Sequence, residues 1–395
     1  MNLLFITPGK LPLPPVKGGA VENLINILIE KNEEVKNDKY IIYSIWDKEA
    51  EEKTKSKHYK NVEIHYININ KRLVKIERAI RFLINRIPGV YIGNPYIARV
   101  RKKIEKEKFD YIIIENAPEF GLKLKKYKDK LILHLHNDAL NKNTKLHNRI
   151  VKTYNKIFVI SDFLGDNVNE ITNNNRVMTL HNGIEFNNFK DLNRDEKVKV
   201  RYNYNIKEDE IVIMYSGRLV PEKGIMELEK AVIKLISNFK VKLIIVGGNG
   251  YSSNIETKYV KKLKEIAKPY KNNIIFMGFI DYQEINKIYS IADIGVVPSL
   301  CNDAFNLTTV EFMIKGIPIV ISDKGAMKEI INDKCGLIAH VNDKFVQNLY
   351  LQIKELVQNK ELRRIMGVES KKRAMNFSSD NYYNNFIKLL RKKEK

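Results

Sequence analysis

The sequence predicts an α/β protein in which two doubly wound parallel sheets form two domains. The chain has 395 residues, more than a single ordinary hydrophobic core accommodates. Short apolar segments alternate with helical patterns, and most of them lack the polar and apolar alternation of a half-exposed strand. A polar stretch after Asn182 and Gly183, read as a linker, separates two such series. We therefore place domains at residues 1–187 and 188–372, followed by a basic helix over residues 373–395.

The first domain is predicted to begin with a buried strand and a loop rich in proline and glycine. Strand 3–6 is followed by PGKLPLPPVKGGA and by a helix over residues 21–30. Gly18 and Gly19 at the helix start let backbone amides approach a bound phosphate. The spacing is not GxGxxG, and a simple turn is the alternative. Further strands of this domain are expected at residues 40–45, 62–67, 111–115, 131–136 and 157–160.

The second domain contains a predicted strand, loop, helix and strand at residues 294–321 that can hold an anion. Asn306 or Thr308 can cap the helix, which ends at Lys315 before Gly316. The start of such a helix presents unpaired backbone N–H groups and the positive end of the helix dipole. A phosphate is the group that suits this position.

Two carboxylates flank this helix start. Asp303 precedes it, and Glu311 lies one turn inside it. The simpler interpretation is that they complement the helix dipole. A phosphate site beside two acids instead indicates a nucleotide-linked substrate. Other strands of this domain are expected at residues 211–215, 242–246 and 274–277, with helices at 226–238, 255–267 and 282–290.

Composition limits the class of protein. Apolar residues make up 44% of the chain and charged residues 29%, as in a soluble globular protein. Cys301 and Cys335 have no zinc-ligand or disulfide-framework spacing, which fits a reducing cytoplasm. No apolar segment reaches the roughly 18–20 residues that cross a bilayer. The N-terminal apolar run ends at Pro8 and Gly9, too early for a signal peptide. We expect a cytoplasmic protein.

The net charge of +22 permits an anionic partner. Residues 71–108 hold twelve Lys or Arg and three Glu. On a helix, Leu73, Ile76 and Ile80 share one face and Arg78 lies on another. This helix either packs on its own domain or attaches to an anionic membrane surface. Nucleic acid is not expected, because no recognised binding motif or aromatic stacking array accompanies the charge.

The segment SGRLVPEKG at residues 216–224 carries two cations at the end of a predicted strand. The strand ends at Gly217, Arg218 follows it, and Lys223 precedes a helix. Two cations beside a helix start can balance a diphosphate, which neither charge balances alone. A surface turn with two solvated charges is the alternative.

Taken together with residues 298–323, this segment resembles the retaining, nucleotide-sugar-dependent glycosyltransferases of the GT-B fold. This family, of the glycosyltransferase family 4 type, contains relatives of sucrose and glycogen synthase and many bacterial cell-surface transferases. The resemblance covers nearly the whole chain and implies two Rossmann-like domains facing across a cleft. The segments that carry it are GGAVENL, HLHND at 134–138, VISDF at 159–163, HNGIE at 181–185, GRLVPEKG, IIVGGNG at 244–250, FMGFI at 276–280 and DAFNLTTVE at 303–311.

The resemblance implies roles for the residues that match the family's motifs. Arg218 and Lys223 grip the donor diphosphate and support its departure as leaving group. Glu311 accepts hydrogen bonds from the nucleotide ribose, and Asp303 acts in catalysis near the donor sugar. The residues implied to supply further donor contacts, mostly through backbone, are Gly18, Gly19, Gly217, Gly278, Phe305, Asn306, Leu307 and Thr308.

A pair of histidines and two departures from the family complete the predicted site. His134 and His136 lie two residues apart, so they share a face of their strand, and His136 is nearer its carboxyl end. The resemblance places His136 beside the sugar in a catalytic role; a buried, hydrogen-bonded histidine is the alternative. Asp303 stands where glutamate is usual, so a shifted backbone or a water would have to link it to the sugar. Asn306 stands where glycine is common, which requires strain only if its φ is positive.

The implied function is transfer of a hexose from a nucleoside diphosphate sugar, UDP-linked, to an acceptor hydroxyl with retained anomeric configuration. The expected acceptor is a cell-surface or lipid-linked glycan, met at the inner face of the cell membrane. No cofactor is expected. No metal is expected either, because the sequence has no Asp-x-Asp pair to hold a cation against a diphosphate.

Two other classes of function stay open. An epimerase or a phosphorylase on the same fold would convert the donor without an acceptor, or would need inorganic phosphate or pyridoxal phosphate. A non-catalytic glycan-binding or coat component would keep the fold alone, and Asp303 is the feature that keeps this alternative open. The presence of both Arg218 and Lys223 favours an enzyme.

Overall fold

The computed structural model describes residues 1–69, 84, 94–172, 174–248 and 256–392. They fall into two compact units: Met1–Gly183 with Ser379–Lys395, and Ile184–Ser378. The first boundary therefore lies between residues 183 and 184 rather than between 187 and 188. The predicted C-terminal segment 373–395 is divided, because its first six residues belong to the second unit and the helix after them to the first.

The first unit contains one sheet of parallel strands. The strands are β1 (Asn2–Ile6), β2 (Lys39–Ile45), β3 (Val62–Ile67), β4 (Tyr111–Glu115), β5 (Leu131–Leu135), β6 (Lys156–Val159) and β7 (Val177–Thr179). Their order is β3-β2-β1-β4-β5-β6-β7, and every neighbouring pair is parallel. The connecting helices are α1 (Ala20–Val35), α2 (Lys48–Lys57), α3 (Pro95–Lys103), α4 (His147–Val151) and α5 (Asp162–Asn169).

The strands predicted for this unit are confirmed, with ends within one residue of the predicted ones. Leu3, Phe5 and Ile113 are fully buried, as expected of strands covered by helices on both faces. The short β7 was not predicted, because its three residues are all half-buried and carry no continuous apolar run.

The second unit contains a parallel sheet of six strands. These are β8 (Ile211–Ser216), β9 (Val241–Val246), β10 (Ile274–Gly278), β11 (Ile294–Val297), β12 (Ile319–Ser322) and β13 (Gly336–Ala339), in the order β10-β9-β8-β11-β12-β13. Its helices are α6 (Arg194–Asn203), α7 (Ile225–Ile236), α8 (Lys258–Ala267), α9 (Tyr282–Tyr289), α10 (Leu307–Ile314), α11 (Met327–Ile330), α12 (Phe345–Gln358) and α13 (Lys360–Ala374). The chain then returns to the first unit as α14 (Ser379–Arg391).

Each face of the second sheet has its own hydrophobic core. Ile213 and Tyr215 of β8 pack with α7 and α12 on one face. Val212 and Met214, the alternate residues, pack with α10 on the other. This alternation within one fully apolar strand is what a doubly wound sheet requires. The predicted fold class is therefore confirmed in both units.

The polar stretch interpreted as a linker contains helix α6, so that interpretation was wrong in part. Asn193 and Glu196 form a reciprocal capping box at its start. Arg201 in its last turn donates hydrogen bonds to the carbonyls of Lys207 and Glu210. None of the residues of α6 is buried. The helix has no apolar stripe to reveal it. Its cap, these hydrogen bonds and the packing of the half-buried Val200 against the core hold it in place.

The C-terminal helix α14 is fixed to the first unit by a buried lysine. Lys156 at the start of β6 is 3% exposed and donates to the carbonyls of Leu389, Leu390 and Lys392 at 2.7 to 3.1 Å. A cation at the end of a helix pairs with carbonyls that have no intrahelical partner. This contact, together with the burial of Tyr382, Phe386 and Leu390 in the core of the first unit, explains why α14 belongs to that unit.

Among the described residues, no helix is long and apolar enough to cross a membrane. Most of the basic helix predicted within residues 71–108 lies outside the described residues. The part that is described includes α3, which Asn94 caps through its side chain.

Candidate functional site

The start of α10 lies at the carboxyl edge of the second sheet. Asn306 caps the helix, and its Oδ1 accepts hydrogen bonds from the amide of Thr309 at 3.0 Å and from its hydroxyl at 3.1 Å. The φ of Asn306 is −102°, so glycine is not needed here. The amides of Leu307 and Thr308 have no acceptor inside the helix and can meet an anion. Of the two caps predicted, the structure selects Asn306.

The two sequence motifs meet because β8 and β11 are neighbours in the sheet. The strand order reverses between them, and loops that diverge at such a point leave a crevice for a ligand. The loop after β8 carries Arg218 and Lys223. The carbonyl of Glu222 in this loop accepts hydrogen bonds from the amides of Leu300 at 2.9 Å and Cys301 at 3.3 Å in the loop after β11. The motifs therefore form one site.

Gly224 shows how closely these two loops pack. Its φ is +68°, and a Cβ atom here would lie 2.0 Å from the carbonyl oxygen of Pro298. Any other residue would push the loops apart. The glycine of the motif is therefore required by packing within the protein, whatever ligand binds beside it.

An ion pair joins the predicted catalytic residues of the two loops. The Lys223 ammonium lies 2.5 Å from Oδ1 of Asp303, and both side chains are about 15% exposed. Oδ2 of Asp303 accepts hydrogen bonds from the hydroxyl of Ser299 at 2.7 Å and from the side-chain Nδ2 of Asn306 at 3.3 Å. The structure thus brings Lys223, Asp303 and the helix cap together.

Arg218 is held by its backbone and leaves its guanidinium accessible. The Tyr215 hydroxyl donates a hydrogen bond to the Arg218 carbonyl at 2.8 Å. The guanidinium is 52% exposed, and its ion pair with Glu222 spans 4.0 Å. A planar guanidinium in this position can form a bidentate pair with a phosphate.

Glu311 lies on α10 and is 8% exposed. Burial raises the pKa of this carboxyl group, and a hydrogen bond from Tyr289 acts in the opposite direction. The Tyr289 hydroxyl donates to Oε2 at 2.6 Å. A carboxylate fixed through one oxygen keeps acceptor capacity on the other, which suits the hydroxyls of a ribose. Tyr289 was not predicted, because nothing in the sequence pairs α9 with α10.

The glycines at the ends of β8 and β10 shape the backbone beside this site. Gly278 has a φ of +69°, and its carbonyl accepts the amide of Gly247 at 2.8 Å. The Gly217 amide donates to the carbonyl of Val246 at 3.0 Å. The Phe305 ring packs edge-on against Phe377 with 5.6 Å between centroids. Their predicted contacts with a donor stay predictions.

In the first unit, the predicted phosphate loop holds a carboxylate. Gly18 has a φ of +70° and open space where a Cβ would lie, and Gly19 has a φ of +109°. A Cβ at Gly19 would lie 2.2 Å from Oε2 of Glu22. Burial raises the pKa of Glu22 to about 7, and the charge of Glu115 adds to this effect. The start of α1 thus has a carboxylate of the chain's own packed against it.

His136 belongs to a buried triad with Glu115 and His134. The register of β4 and β5 pairs Glu115 with His134, and the two histidine rings lie 4.1 Å apart. Oε2 of Glu115 lies 2.7 Å from Nε2 of His136 and 3.1 Å from Nδ1 of His134. The His136 amide also donates to Oδ1 of Asn116 at 3.1 Å. His136 is therefore fixed by ring and backbone to the end of β4.

The charge state of the triad follows from these contacts. Burial alone would raise the pKa of Glu115, but the two histidines lower it to about 2. Burial and the neighbouring His134 lower the pKa of His136 to about 4, against the effect of Glu115. The 2.7 Å contact between Nε2 of His136 and Oε2 of Glu115 therefore fits a hydrogen bond that His136 donates and the carboxylate accepts.

The same three side chains are close enough together to ligate a metal ion. Both ring nitrogens of His134, Nδ1 of His136 and Oε1 of Glu115 are buried without hydrogen-bond partners in the described chain. Metal-bound histidines usually donate from the ring nitrogen that does not bind the metal, and the described residues supply no acceptor for that nitrogen. The absence of a metal in the reaction stays a prediction.

A cavity of about 400 Å³ opens beside the triad. It is bounded by the loops that follow β1, β4 and β5, and the strand order of the first sheet reverses between β1 and β4. Its lining combines two lysines, one acid, polar side chains and an apolar floor. The lining residues are Lys10, Asn116, Pro118, Glu119, Leu122, Asn137, Ala139, Thr144, Lys145, Leu146 and Ile150. A mixed surface of this kind suits a sugar.

The chain is similar in sequence to known glycosyltransferases. Residues 196–373 match the family described as Glycosyl transferases group 1. The putative glycosyltransferase YtcC of Bacillus subtilis is 26% identical over 355 residues, 86% of this chain and 79% of that protein. A lipopolysaccharide 1,2-N-acetylglucosaminetransferase of Salmonella typhimurium is 29% identical over 278 residues, 69% of each chain. Spore coat protein SA of Bacillus subtilis is 23% identical over 408 residues, 99% of this chain and 100% of that protein.

Solved structures share the fold over the full length. HepE from Anabaena in complex with UDP has a TM-score of 0.75 at 18% identity and covers 99% of each chain. A glycosyltransferase from Rickettsia africae has a TM-score of 0.76 at 17% identity, covering 98% of this chain and 97% of that one. Both units are thus the Rossmann-like units of the GT-B glycosyltransferase fold. The segment that matches the family described as Glycosyl transferases group 1, residues 196–373, contains the loop after β8 and the start of α10.

Proposed function

We propose that the protein transfers a hexose from a nucleoside diphosphate sugar to an acceptor hydroxyl, with retention of the anomeric configuration. The observation that carries this proposal is the joined pair of loops after β8 and β11. They present Arg218, Lys223 and the start of α10 at one edge of the sheet. Two cations and a helix N-terminus are what a diphosphate needs. A UDP-linked donor is proposed because the similar HepE has been solved with UDP and with UDP-glucose.

The proposed catalysis is electrostatic. The bond from the anomeric carbon to the diphosphate breaks, and negative charge develops on the leaving phosphate. Arg218, Lys223 and the amides of Leu307 and Thr308 stabilise that charge. The acceptor oxygen bonds to the anomeric carbon on the face that the diphosphate leaves, and the departing phosphate takes the acceptor's proton. In this proposal Glu311 binds the ribose.

The first unit supplies the remaining parts of the proposal. Gly18 and Gly19 contribute backbone to the diphosphate, and His136 meets the sugar. The acceptor binds in the cavity of about 400 Å³ beside Asn116, which has room for one or two sugar units. Lys10 and Lys145 in its lining favour an acceptor with a phosphate or carboxylate, such as a lipid-linked or acidic cell-surface glycan.

A donor panel tests the reaction. Purified full-length protein is incubated with UDP-, GDP-, ADP- and TDP-sugars, and released nucleoside diphosphate is followed with and without EDTA. We expect release from one donor, increased by membrane extract and unaffected by EDTA. A donor converted to its epimer without release would indicate an epimerase.

A non-catalytic coat component is the second candidate. It is favoured by the full-length similarity to spore coat protein SA, named for its place in a coat, and by Asp303, whose two oxygens are engaged within the protein. No release from any donor, with no binding of a nucleoside diphosphate, would support it over the transferase.

A further inference from the structure

The family resemblance implies that Asp303 contacts the donor sugar. In the structure its side chain contacts other residues of the protein instead. Oδ1 lies 2.5 Å from the Lys223 ammonium. Oδ2 accepts hydrogen bonds from Ser299 at 2.7 Å and Asn306 at 3.3 Å. Both carboxylate oxygens are therefore engaged within the protein. No described contact leaves one directed toward a sugar.

The backbone of Asp303 is also fixed. Its carbonyl accepts a hydrogen bond from the Ala326 amide at 2.9 Å. Gly325, with a φ of +60°, packs so closely that a Cβ there would lie 2.3 Å from the same carbonyl oxygen. A backbone shift that would carry the short aspartate side chain toward a sugar has to break this packing. The direct sugar contact is thus the less favourable assignment.

We propose that Asp303 is a positioning residue that acts through Lys223: it orients the ammonium beside the start of α10 and competes with the donor diphosphate for it. The inference rests on the proposed function, because it takes the diphosphate to be the ligand of Lys223. An ammonium has three donors, so one can stay with Asp303 while the others meet phosphate oxygens. The carboxylate also repels the diphosphate, which weakens binding of the product and speeds its release.

A control for Asp303→Asn, a substitution that removes the same charge from another lysine, is available at the opposite edge of the same sheet. Asp209, just before β8, pairs with Lys240 at 2.6 Å, so Asp209→Asn removes a carboxylate from a lysine at the amino edge. Asp303→Asn removes one at the carboxyl edge, and Asp303→Glu restores the charge. Binding of UDP and of UDP-glucose to the full-length protein is measured by titration calorimetry at low and high salt.

We expect Asp303→Asn to bind UDP about three- to tenfold more tightly than the wild type at low salt. This gain in affinity should shrink at high salt. The transfer rate should fall, because the product is released more slowly. Asp303→Glu should return UDP affinity to within about twofold of the wild type, and Asp209→Asn should leave it unchanged. Unchanged UDP binding by Asp303→Asn together with weaker UDP-glucose binding would instead assign Asp303 to the sugar and overturn the inference. Weaker UDP binding would also overturn it, because it would show that Asp303 does not compete with the diphosphate.

Failure of the proposed function can be distinguished from failure of the inference about Asp303. If the wild-type protein binds no nucleoside diphosphate, the transferase proposal fails. The pairing of Lys223 is then still tested by the ¹⁵N signal of its ammonium, which should shift in Asp303→Asn and stay in place in Asp209→Asn. A signal that does not respond to Asp303→Asn would show that the pair does not form.

Discussion

The two sheets reverse their strand order in the same way but differ in which charged groups are buried there and which are accessible. In the first unit, Glu115 and Glu22 lie at this edge and are 1% and 4% exposed. In the second unit, Arg218 and Lys223 lie at the equivalent edge with side chains 52% and 15% exposed. Buried acids that are held by neighbouring groups fix the shape of the protein, whereas accessible cations can take up a ligand. The comparison separates a first edge held together by buried acids, the scaffold edge, from a second edge with accessible cations, the cationic edge.

The largest expected effect is a loss of transfer rate when the cations of the second edge are removed. Arg218→Ala and Lys223→Ala should each reduce the rate of transfer about 10²- to 10³-fold, because each removes a charge that stabilises the leaving group. Steady-state kinetics with the donor identified by the panel measures this. Lys240→Ala, at the amino edge, should keep the wild-type rate. Equal losses in all three variants would break the comparison.

A substitution of Glu115 at the first edge should lower the stability of the protein. Glu115→Ala leaves the buried Nε2 of His136 without its acceptor, so the free energy of unfolding should fall by about 1–3 kcal/mol. Urea unfolding measures the change. Glu63, which pairs with Lys39 at 2.7 Å and is half exposed, is the matched control, and Glu63→Ala should change it by less than about 0.5 kcal/mol. A Glu115→Ala protein as stable as the control would remove Glu115 from the scaffold.

The pKa of Glu22 predicts a pH dependence of stability. The folded protein keeps this proton to about pH 7, whereas the unfolded chain releases it near pH 4.5. Stability from this group is therefore complete below pH 4.5 and is lost as pH rises to about 7. Allowing for solvent screening, the loss is about 1–2 kcal/mol. It is measured from urea midpoints between pH 4 and 9.

Glu22→Gln should flatten that part of the profile. Glu229 on α7, whose pKa burial raises to about 8, should lose its own contribution between pH 4.5 and about 8, and Glu229→Gln should remove that part of the profile. A Glu22→Gln profile that still falls as steeply as the wild type between pH 4.5 and 7 would contradict the assignment.

The smallest expected effect concerns the membrane. If the basic residues within 71–108 attach the protein to anionic lipid, raising the salt concentration should release it from vesicles containing phosphatidylserine, because the attraction is screened. Vesicle sedimentation at low and high salt measures this. Absence of binding at low salt would count against attachment, and retention at high salt would point to a contact other than charge.

The cationic edge could be predicted because its residues are close in sequence to helix starts. Arg218 and Lys223 follow strand β8, and Asn306 caps helix α10, so local rules for caps, glycines and strand ends were sufficient. The pairing of Lys223 with Asp303 was not predicted, because it depends on which strands are neighbours. Tyr289 beside Glu311 escaped prediction for the same reason.

The scaffold edge was harder to predict. His134 and His136 were recognised as sharing a face, but their partner Glu115 comes from another strand, and only the register of β4 and β5 brings it there. Glu115 could have been found by aligning the carboxyl ends of the predicted strands 111–115 and 131–136. Helix α6 escaped because a polar helix held by its cap has no apolar period.

The most direct test of the account is a crystal structure of the protein with the nucleoside diphosphate that the donor panel identifies. The account predicts the diphosphate at the start of α10, contacted by Arg218, by Lys223 and by the amides of Leu307 and Thr308. A diphosphate bound away from α10, with Arg218 and Lys223 still facing solvent, would contradict it.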